Sequence, residues 1–120
     1  FAGMRTEKPK RQCDANMKTL FEVQSALKRG FLSSRSLTEQ ALAAIDNPAG
    51  EGARAFLKVY REAALAQADA SDALRKNGIV PSPVAGIPIS VKDLFDVAGD
   101  VTRAGSIILS DAPPAIAARG

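Results

Sequence analysis

The stretch GIPISVKDLFDVAG, residues 86–99, places a lysine at the end of a run of alternating side chains. Alternate residues of an extended chain point to opposite faces, so the run predicts a strand. One face would carry Ile87, Ile89 and Val91, and the other would carry Pro88, Ser90 and Lys92. Because proline has no N–H to donate to a neighbouring strand, we expect this strand to be irregular or to lie at a sheet edge.

Two interpretations of Lys92 follow from this position. Its four-carbon stem can lie along apolar surface while the ammonium reaches water, as surface lysines commonly do. Alternatively, the amine is desolvated, which lowers a lysine pKa and turns the amine into a general base. The alternation of side chains leaves both interpretations open.

Composition narrows the chemistry that the chain can perform. Among 120 residues there is no histidine, which excludes Ser-His-Asp and Cys-His catalysis and the common histidine metal sites. Cys13 is the only cysteine, so an internal disulfide and a structural zinc site of several cysteines are excluded. Proton transfer would have to use Asp, Glu, Lys, Tyr or Cys13. We predict no metal and no cofactor.

Charge and hydropathy exclude further classes. Sixteen Lys and Arg against thirteen Asp and Glu give a net charge of +3, and these charges are spread along the chain. The basic cluster KPKR, residues 8–11, has no interleaved aromatic residues, which argues against nucleic acid as a partner. No apolar run approaches the roughly 20 residues of a membrane span, and the N-terminus lacks a signal-peptide pattern. We therefore expect a cytoplasmic protein with no membrane partner.

The region upstream of the lysine stretch predicts helices. Residues 1–16 are expected to be a polar, disordered tail, followed by a domain over residues 17–120. A first helix is predicted from Met17 to Gly30, and a second near residue 36, where Ser36 and Glu39 have the spacing of a capping box. The apolar face of the second helix would carry Leu37, Ala41, Ala44 and Ile45.

Two further elements are predicted before the lysine stretch. Residues 53–60, ARAFLKVY, favour a short strand, and residues 61–77 a third helix that ends before Gly78. The buried stripe of this helix would consist of small side chains, which allow a neighbouring element to approach closely. The predicted stripe is Ala63, Ala66, Ala70, Ala73 and Leu74.

Residues 81–106, PSPVAGIPISVKDLFDVAGDVTRAGS, resemble the lysine-bearing segment of the amidase signature family. The matching elements are Gly86-Ile87-Pro88, the SVKD of residues 90–93, Ala98-Gly99, and the spacing from Thr102 to Gly105-Ser106. Residues 36–45 and 53–73 look like the helices and strand that precede this segment. The resemblance covers roughly residues 17–116.

The resemblance implies an α/β/α fold around a mixed sheet and hydrolysis of carboxylic amides by a Ser-Ser-Lys triad. Lys92 matches the catalytic lysine, which would take a proton, through a bridging serine, from the serine that attacks the amide carbon. The absence of histidine is compatible with this chemistry, because a lysine can activate a serine in its place. We expect this chain to hold the amino-terminal helices and first strands of that α/β fold, which would be incomplete here.

The family's two serines lie downstream of the lysine segment in a Gly/Ser-rich region, which also supplies the oxyanion-hole amides. Residues 107–120 do not match that region, and Ser90, Ser106 and Ser110 do not occupy the positions of the catalytic serines. The expectation is an amidase fragment that carries the base but not the nucleophile and is inactive alone.

Four residues near Lys92 are predicted to line the site or to have structural roles. Asp93 would cap the turn or helix after the strand, since adjacent residues of a strand face opposite sides. Thr102 is expected to stabilise a turn. Ser90 and Ser106 complete the set, and the sequence identifies no substrate-binding residue.

Two alternative functions remain open. The chain could belong to the amidotransferase component that releases ammonia from glutamine for tRNA-bound substrates. It could also be a non-catalytic amidase remnant that binds a partner through the third helix and Ile107–Leu109. The predicted partners are a small-molecule amide, if a serine-bearing part completes the site, and a second chain.

Overall fold

A computed structural model of the chain describes residues 19–106 and 111–116, which divide into two compact units between Pro88 and Ile89. The described residues of the first unit, 19–88, form four helices: α1 (Leu20–Lys28), α2 (Ser34–Asp46), α3 (Gly52–Ala55) and α4 (Arg61–Lys76). In the second unit, residues 89–106 and 111–116 form turns and irregular segments. Several predicted features lie outside the described residues: the tail of residues 1–16 with its basic cluster and Cys13, and the apolar segment Ile107–Leu109.

Helices α1 and α4 confirm two of the predicted helices. A capping box begins α1, in which the Thr19 hydroxyl accepts from the backbone N–H of Glu22 and the Glu22 carboxylate accepts from Thr19 N at 2.7 Å. Lys28 ends α1, so Gly30 follows the helix as predicted. The predicted bounds of the third helix, 61–77, agree to one residue with those of α4.

Helix α2 begins earlier than the sequence predicts. Its N-cap is Ser33, and the capping box joins Ser33 to Ser36 through two backbone N–H bonds of 3.0 and 3.2 Å. The predicted box of Ser36 and Glu39 is therefore wrong, although both pairs have the same spacing. Glu39 instead binds Arg35 at 2.7 Å. The start of α2 is set by α4, whose Asp72 carboxylate accepts from the N–H groups of Ser34 and Arg35.

The strand predicted over residues 53–60 is also wrong. Residues Gly52–Ala55 form the short helix α3, and irregular chain follows as far as Tyr60. Gly52 is buried, and a Cβ there would lie 2.0 Å from the carbonyl oxygen of Ile45. The absence of a side chain at Gly52 permits this close approach of α3 to the end of α2. The described residues supply no strand with which Phe56 and Val59 could pair, so their β propensity has no effect.

The buried face of α4 differs from the predicted stripe. Ala63, Ala66, Ala70 and Ala73 are exposed, and Leu74 is 41% exposed. The residues that pack towards α2 include Ala68, which is buried, and Ser71 and Asp72, which are half-buried. Alanines occur on every side of this helix, so small side-chain size could not identify the packed face. The packed face is fixed by the hydrogen bonds that Asp72 accepts from the backbone of α2.

The core of the first unit is small and partly polar. Its buried apolar side chains are Leu27, Leu42 and Ala68, and Ser34 and Thr38 are buried beside them. On α2 the buried residues are therefore Ser34, Thr38 and Leu42, whereas the predicted apolar residues Leu37, Ala41 and Ile45 are only half-buried and Ala44 is exposed. The Thr38 hydroxyl donates to the carbonyl of Ser34 at 2.9 Å, which allows its burial.

The loop after α4 returns to this core at Gly86. Arg75 Nη2 donates to the carbonyl of Ala85 at 3.0 Å. Gly86 has φ +82°, and a Cβ at this position would lie 2.0 Å from Ser34 Oγ and 2.5 Å from Ser71 Oγ. Only glycine fits this approach without displacing both serines.

The strand predicted over residues 87–92 is not formed within the described part of the chain, where this segment is irregular. A strand requires hydrogen bonds to a neighbour, and the second unit provides one isolated parallel bridge, between Ala98 and Ala115. Over residues 19–106 and 111–116, no helix has both the length and the apolar character needed to cross a bilayer.

Candidate functional site

Lys92 lies in the second unit at the start of a turn. Its carbonyl accepts from the N–H of Phe95 at 3.2 Å, which closes the turn over Asp93 and Leu94. The Lys92 side chain is exposed, and so is Ser90. Within the described residues, no hydrogen bond or ion pair engages the Lys92 ammonium. The amine is thus accessible to a group that approaches from outside this unit.

Asp93, the residue after Lys92, binds a turn that lies ten residues further along the chain. Its carbonyl accepts from the N–H of Ala104 at 3.0 Å, and its Oδ1 accepts from the N–H of Arg103 at 3.3 Å. The second carboxylate oxygen, Oδ2, is buried and has no hydrogen-bond partner among the described residues. Asp93 therefore binds a distant turn, in addition to starting the turn that follows Lys92.

Thr102 and Ser106 stabilise the segment that Asp93 holds. The Thr102 hydroxyl lies 2.7 Å from Asp96 Oδ1 and 3.3 Å from the carbonyl of Phe95. Ser106 donates its N–H to the carbonyl of Arg103 at 2.7 Å and so closes a four-residue turn. The two central residues, Ala104 and Gly105, have φ of +47° and +72°, the signs of a type I′ turn.

Asp96 was not among the residues singled out from the sequence, yet it holds the Thr102 hydroxyl. The signal that could have found it is the DLFD pattern of residues 93–96, in which two carboxylates flank two apolar residues after the lysine. Asx side chains at such positions commonly accept hydrogen bonds from nearby turns.

A second contact closes the other end of the unit. Gly99 donates to the carbonyl of Ala115 at 2.8 Å, and Ala115 donates to the carbonyl of Asp100 at 2.9 Å. These two bonds attach Ala115 to the turn after Val97, beside the parallel bridge between Ala98 and Ala115. The unit is thus fixed at two places, by Asp93 near Lys92 and by this bridge.

Several large apolar side chains of this unit are exposed to solvent. Ile89 is 83% exposed, Ile116 is 99% exposed, and Val91, Leu94 and Phe95 are each about half exposed. Exposed apolar surface on this scale is typical of a surface that another part of a protein covers. The described residues alone leave Lys92 in water.

The model of the Amidase family matches residues 36–119, a range that contains Lys92, Asp93, Thr102 and Ser106. This chain belongs to the amidase family. The resemblance that residues 81–106 indicated is therefore confirmed, and the family match extends upstream to residue 36, so that it includes α3, α4 and most of α2.

Several curated proteins are similar to this chain. It is 43% identical over 91 residues to a component of the glutamyl-tRNA(Gln) amidotransferase of Streptomyces avermitilis, a match that covers 76% of this chain and 18% of the relative. It is 44% identical over 99 residues to AtzE, a component of the 1-carboxybiuret hydrolase of Pseudomonas sp. strain ADP, covering 82% of this chain and 21% of the relative. The amidase chain spans about a fifth of the length of these relatives.

A solved structure has the same fold over most of this amidase chain. The TM-score is 0.75 at 41% sequence identity, and the match covers 84% of this chain and 22% of the other. That structure is described as a vestigial protein complex that reveals the evolutionary origins of an s-triazine catabolic enzyme. Helices and turns of the two units thus correspond to part of an amidase-type fold.

Proposed function

We propose that the chain supplies the lysine of an amide hydrolase. The observation that carries this proposal is the family match over residues 36–119, because this range includes the SVKD segment with Lys92. In the proposed Ser-Ser-Lys mechanism, the Lys92 amine removes a proton from the attacking serine through a bridging serine. The serine oxygen then attacks the amide carbon, and the leaving amine receives the proton.

Completion of the site requires a serine-bearing part. The chain spans about a fifth of its relatives, and the described residues leave Lys92 exposed among exposed apolar side chains. A covering segment would desolvate the amine, supply the nucleophile and complete the mixed sheet of the α/β/α fold. Oxyanion donors and nucleophile provide most of the rate in acyl transfer, so we expect the 120-residue chain alone to be inactive.

The decisive experiment measures ammonia release by two proteins: the 120-residue chain, and the full polypeptide encoded by the reading frame that contains it. Intact and native mass spectrometry first establishes whether a longer or second chain accompanies residues 1–120. We expect hydrolysis only where a serine-bearing part is present. Hydrolysis of a simple aliphatic or aryl amide by the chain alone would contradict the proposal.

Replacement of Lys92 tests its role directly. Lys92→Ala in the active form should lower kcat by about 10²–10⁴-fold, the usual contribution of a general base. Lys76→Ala is the matched control, because Lys76 is an exposed lysine in the last turn of α4. Its activity should equal that of the unmodified protein. A Lys92→Ala variant with unchanged kcat would exclude Lys92 as the base.

A second candidate function concerns the substrate. Several relatives are components of glutamyl-tRNA(Gln) amidotransferases, including those of Streptomyces avermitilis and Chloroflexus aggregans. This observation favours glutamine as substrate, with ammonia passed to a tRNA-bound acyl group in a complex with other chains. Comparing glutamine, 1-carboxybiuret and a simple amide distinguishes the functions. Absence of hydrolysis in the full polypeptide would favour the non-catalytic, partner-binding alternative.

A further inference from the structure

One face of α1 carries a groove that is open to solvent. The groove has a volume of about 320 Å³ and is lined by residues of α1 and of the turn that follows it: Phe21, Glu22, Ser25, Ala26, Arg29 and Phe31. Phe21 is 75% exposed and Phe31 is 76% exposed. Two exposed aromatic side chains at one groove are typical of a surface that another molecule covers.

The turn that ends α1 holds Phe31 at the groove. The Phe31 N–H donates to the carbonyl of Ala26 at 2.9 Å, and Gly30 donates to the carbonyl of Leu27 at 3.2 Å. Together with the φ of +78° at Gly30, these bonds form a Schellman motif. Phe31 is therefore fixed beside the last turn of α1, whereas Phe21 belongs to the first turn, so one phenylalanine stands at each end of the helix.

Helix α1 has little support from the other helices of its unit. Within the described residues, helix packing joins α2 to α4 and α2 to α3, and Leu27 is the buried residue of α1. A helix of nine residues is too short to be stable in water without tertiary packing. A partner on the groove side would therefore stabilise α1.

The charges along the groove are complementary to a second copy of the same helix. Glu22 and Arg29 are seven residues apart and so lie two turns apart on one face, with the half-buried Ser25 and Ala26 between them. In an antiparallel pair with its twofold axis between Ser25 and Ala26, each Glu22 lies opposite Arg29 of the second copy. Small side chains at the axis allow the two helices to approach closely.

The same register brings the aromatic side chains of the two copies together. Residue 21 of one copy is level with residue 30 of the other, so Phe21 meets the turn that holds Phe31. The space there is open, because a Cβ at Gly30 would have nothing within 4 Å. Covering four phenylalanines at this exposure buries roughly 450–750 Å². With the helix surface between them, the area is at the low end for specific interfaces, so the association should be weak and reversible.

We propose that the α1 groove is the contact surface of a twofold-symmetric homodimer, in which α1 packs antiparallel against α1 of a second copy. The Glu22–Arg29 pair forms twice and sets the direction and register of the helices. A carboxylate has about four acceptor positions, so Glu22 can meet a guanidinium and keep its bonds to Thr19. This inference does not depend on the proposed function, since none of these residues belongs to the Lys92 segment.

Sedimentation equilibrium tests the proposal on the 120-residue chain and on the full polypeptide, from about 1 μM to 1 mM protein. We expect both to dimerise reversibly. Phe21→Ser should raise the dimer dissociation constant at least about tenfold, as for the loss of an aromatic anchor. Leu57→Ser is the matched control, because Leu57 is 77% exposed in the same unit but does not line the groove. It should leave the dissociation constant unchanged, and circular dichroism establishes that each variant keeps its helices.

Exchange of the charges tests the register. Glu22→Arg and Arg29→Glu, each alone, place like charges opposite each other and should weaken self-association about tenfold. An equimolar mixture of the two variants should associate at least about tenfold more tightly than either alone, because a basic face then meets an acidic one. Glu22→Arg also breaks the capping box, but this loss persists in the mixture. Recovery on mixing therefore reports the contact between copies.

The remaining outcomes contradict the proposal. A monomer at every concentration in both proteins would overturn it, as would a dimer that Phe21→Ser leaves intact. No recovery on mixing would overturn the antiparallel pairing. Dimerisation of the 120-residue chain but not of the full polypeptide would show that the rest of the polypeptide covers α1, and would overturn the homodimer for the complete protein.

Discussion

Gly86 is the residue at which a single methyl group should have the largest effect. Beyond its φ of +82°, an added Cβ would meet Ser34 Oγ at 2.0 Å and Ser34 Cβ at 3.1 Å, so rotation of the hydroxyl alone would not clear it. Ser34 is fully buried and cannot move into solvent. Overpacking typically costs about 1–3 kcal/mol and a left-handed alanine about 1–2 kcal/mol. We expect Gly86→Ala to lower the free energy of unfolding by about 2–5 kcal/mol.

Urea denaturation of the 120-residue chain measures this loss, and Gly78→Ala provides its control. Gly78 lies in the same unit with φ +75°, but a Cβ there would have nothing within 4 Å. It should therefore incur the backbone cost alone. Equal losses in the two variants would show that the serines move aside and that the contact does not constrain residue 86.

For single residues, the sequence allowed a prediction where the residue type alone limits the chemistry. Lys92 could be singled out because a chain without histidine has few bases, and because the residues around it match a family pattern. The partners of Asp93 could not be predicted, since Arg103 and Ala104 are brought to it by a loop whose course depends on the hydrogen bonds of Thr102 and Ser106.

Among the helices, the joint between α4 and α2 depends on one carboxylate. Asp72 accepts from Ser34 N at 2.7 Å and from Arg35 N at 3.0 Å, and so satisfies two of the free N–H groups at the start of α2. A negative charge is also favourable at this end of the helix dipole. Asp72→Ala should lower the free energy of unfolding by about 1–2 kcal/mol, as for loss of a helix cap. Asp72→Asn should lower it less, because one acceptor remains.

Asp69→Ala is the comparison for Asp72, one turn earlier on α4. Asp69 is 57% exposed and binds Arg35 at 2.8 Å, where the hydrogen bond from Arg35 to Glu39 and the charge of Asp69 together raise the pKa of the guanidinium. Exposed ion pairs contribute about 0–1 kcal/mol and are screened by salt. Denaturation at low and high salt should show a small, salt-sensitive loss for Asp69→Ala. A larger loss there than in Asp72→Ala would contradict the assignment of the joint to Asp72.

The approximate positions of the helices could be predicted from the local sequence pattern. Their exact first residues and their packed faces could not. The spacing of Ser36 and Glu39 is equivalent to that of Ser33 and Ser36, and only the position of Asp72 on another helix decides between them. The alanines of α4 are similarly ambiguous. The strands predicted over 53–60 and 87–92 require pairing partners, which no local pattern can provide.

For the molecule as a whole, burial is the feature that the sequence did not reveal. Apolar residues are plentiful, yet within the described part of the chain the buried ones are Leu27, Leu42 and Ala68. Ile89 and Ile116 are almost fully exposed. The proposed function accounts for this contrast, because these side chains would pack against the proposed serine-bearing part.

This explanation predicts that the same substitution has different effects in the chain alone and in the full polypeptide. Ile116 is 99% exposed, so Ile116→Ala should change the stability of the 120-residue chain by no more than about 0.5 kcal/mol. Leu27 is 2% exposed, and Leu27→Ala should destabilise both forms by about 2–5 kcal/mol. In the full polypeptide, where the serine-bearing part would cover Ile116, its replacement should also cost about 2–5 kcal/mol.

Urea denaturation of both forms provides the comparison. If Ile116→Ala were neutral in both while Leu27→Ala was not, Ile116 would stay exposed in the complete protein, and its exposure here would need another explanation.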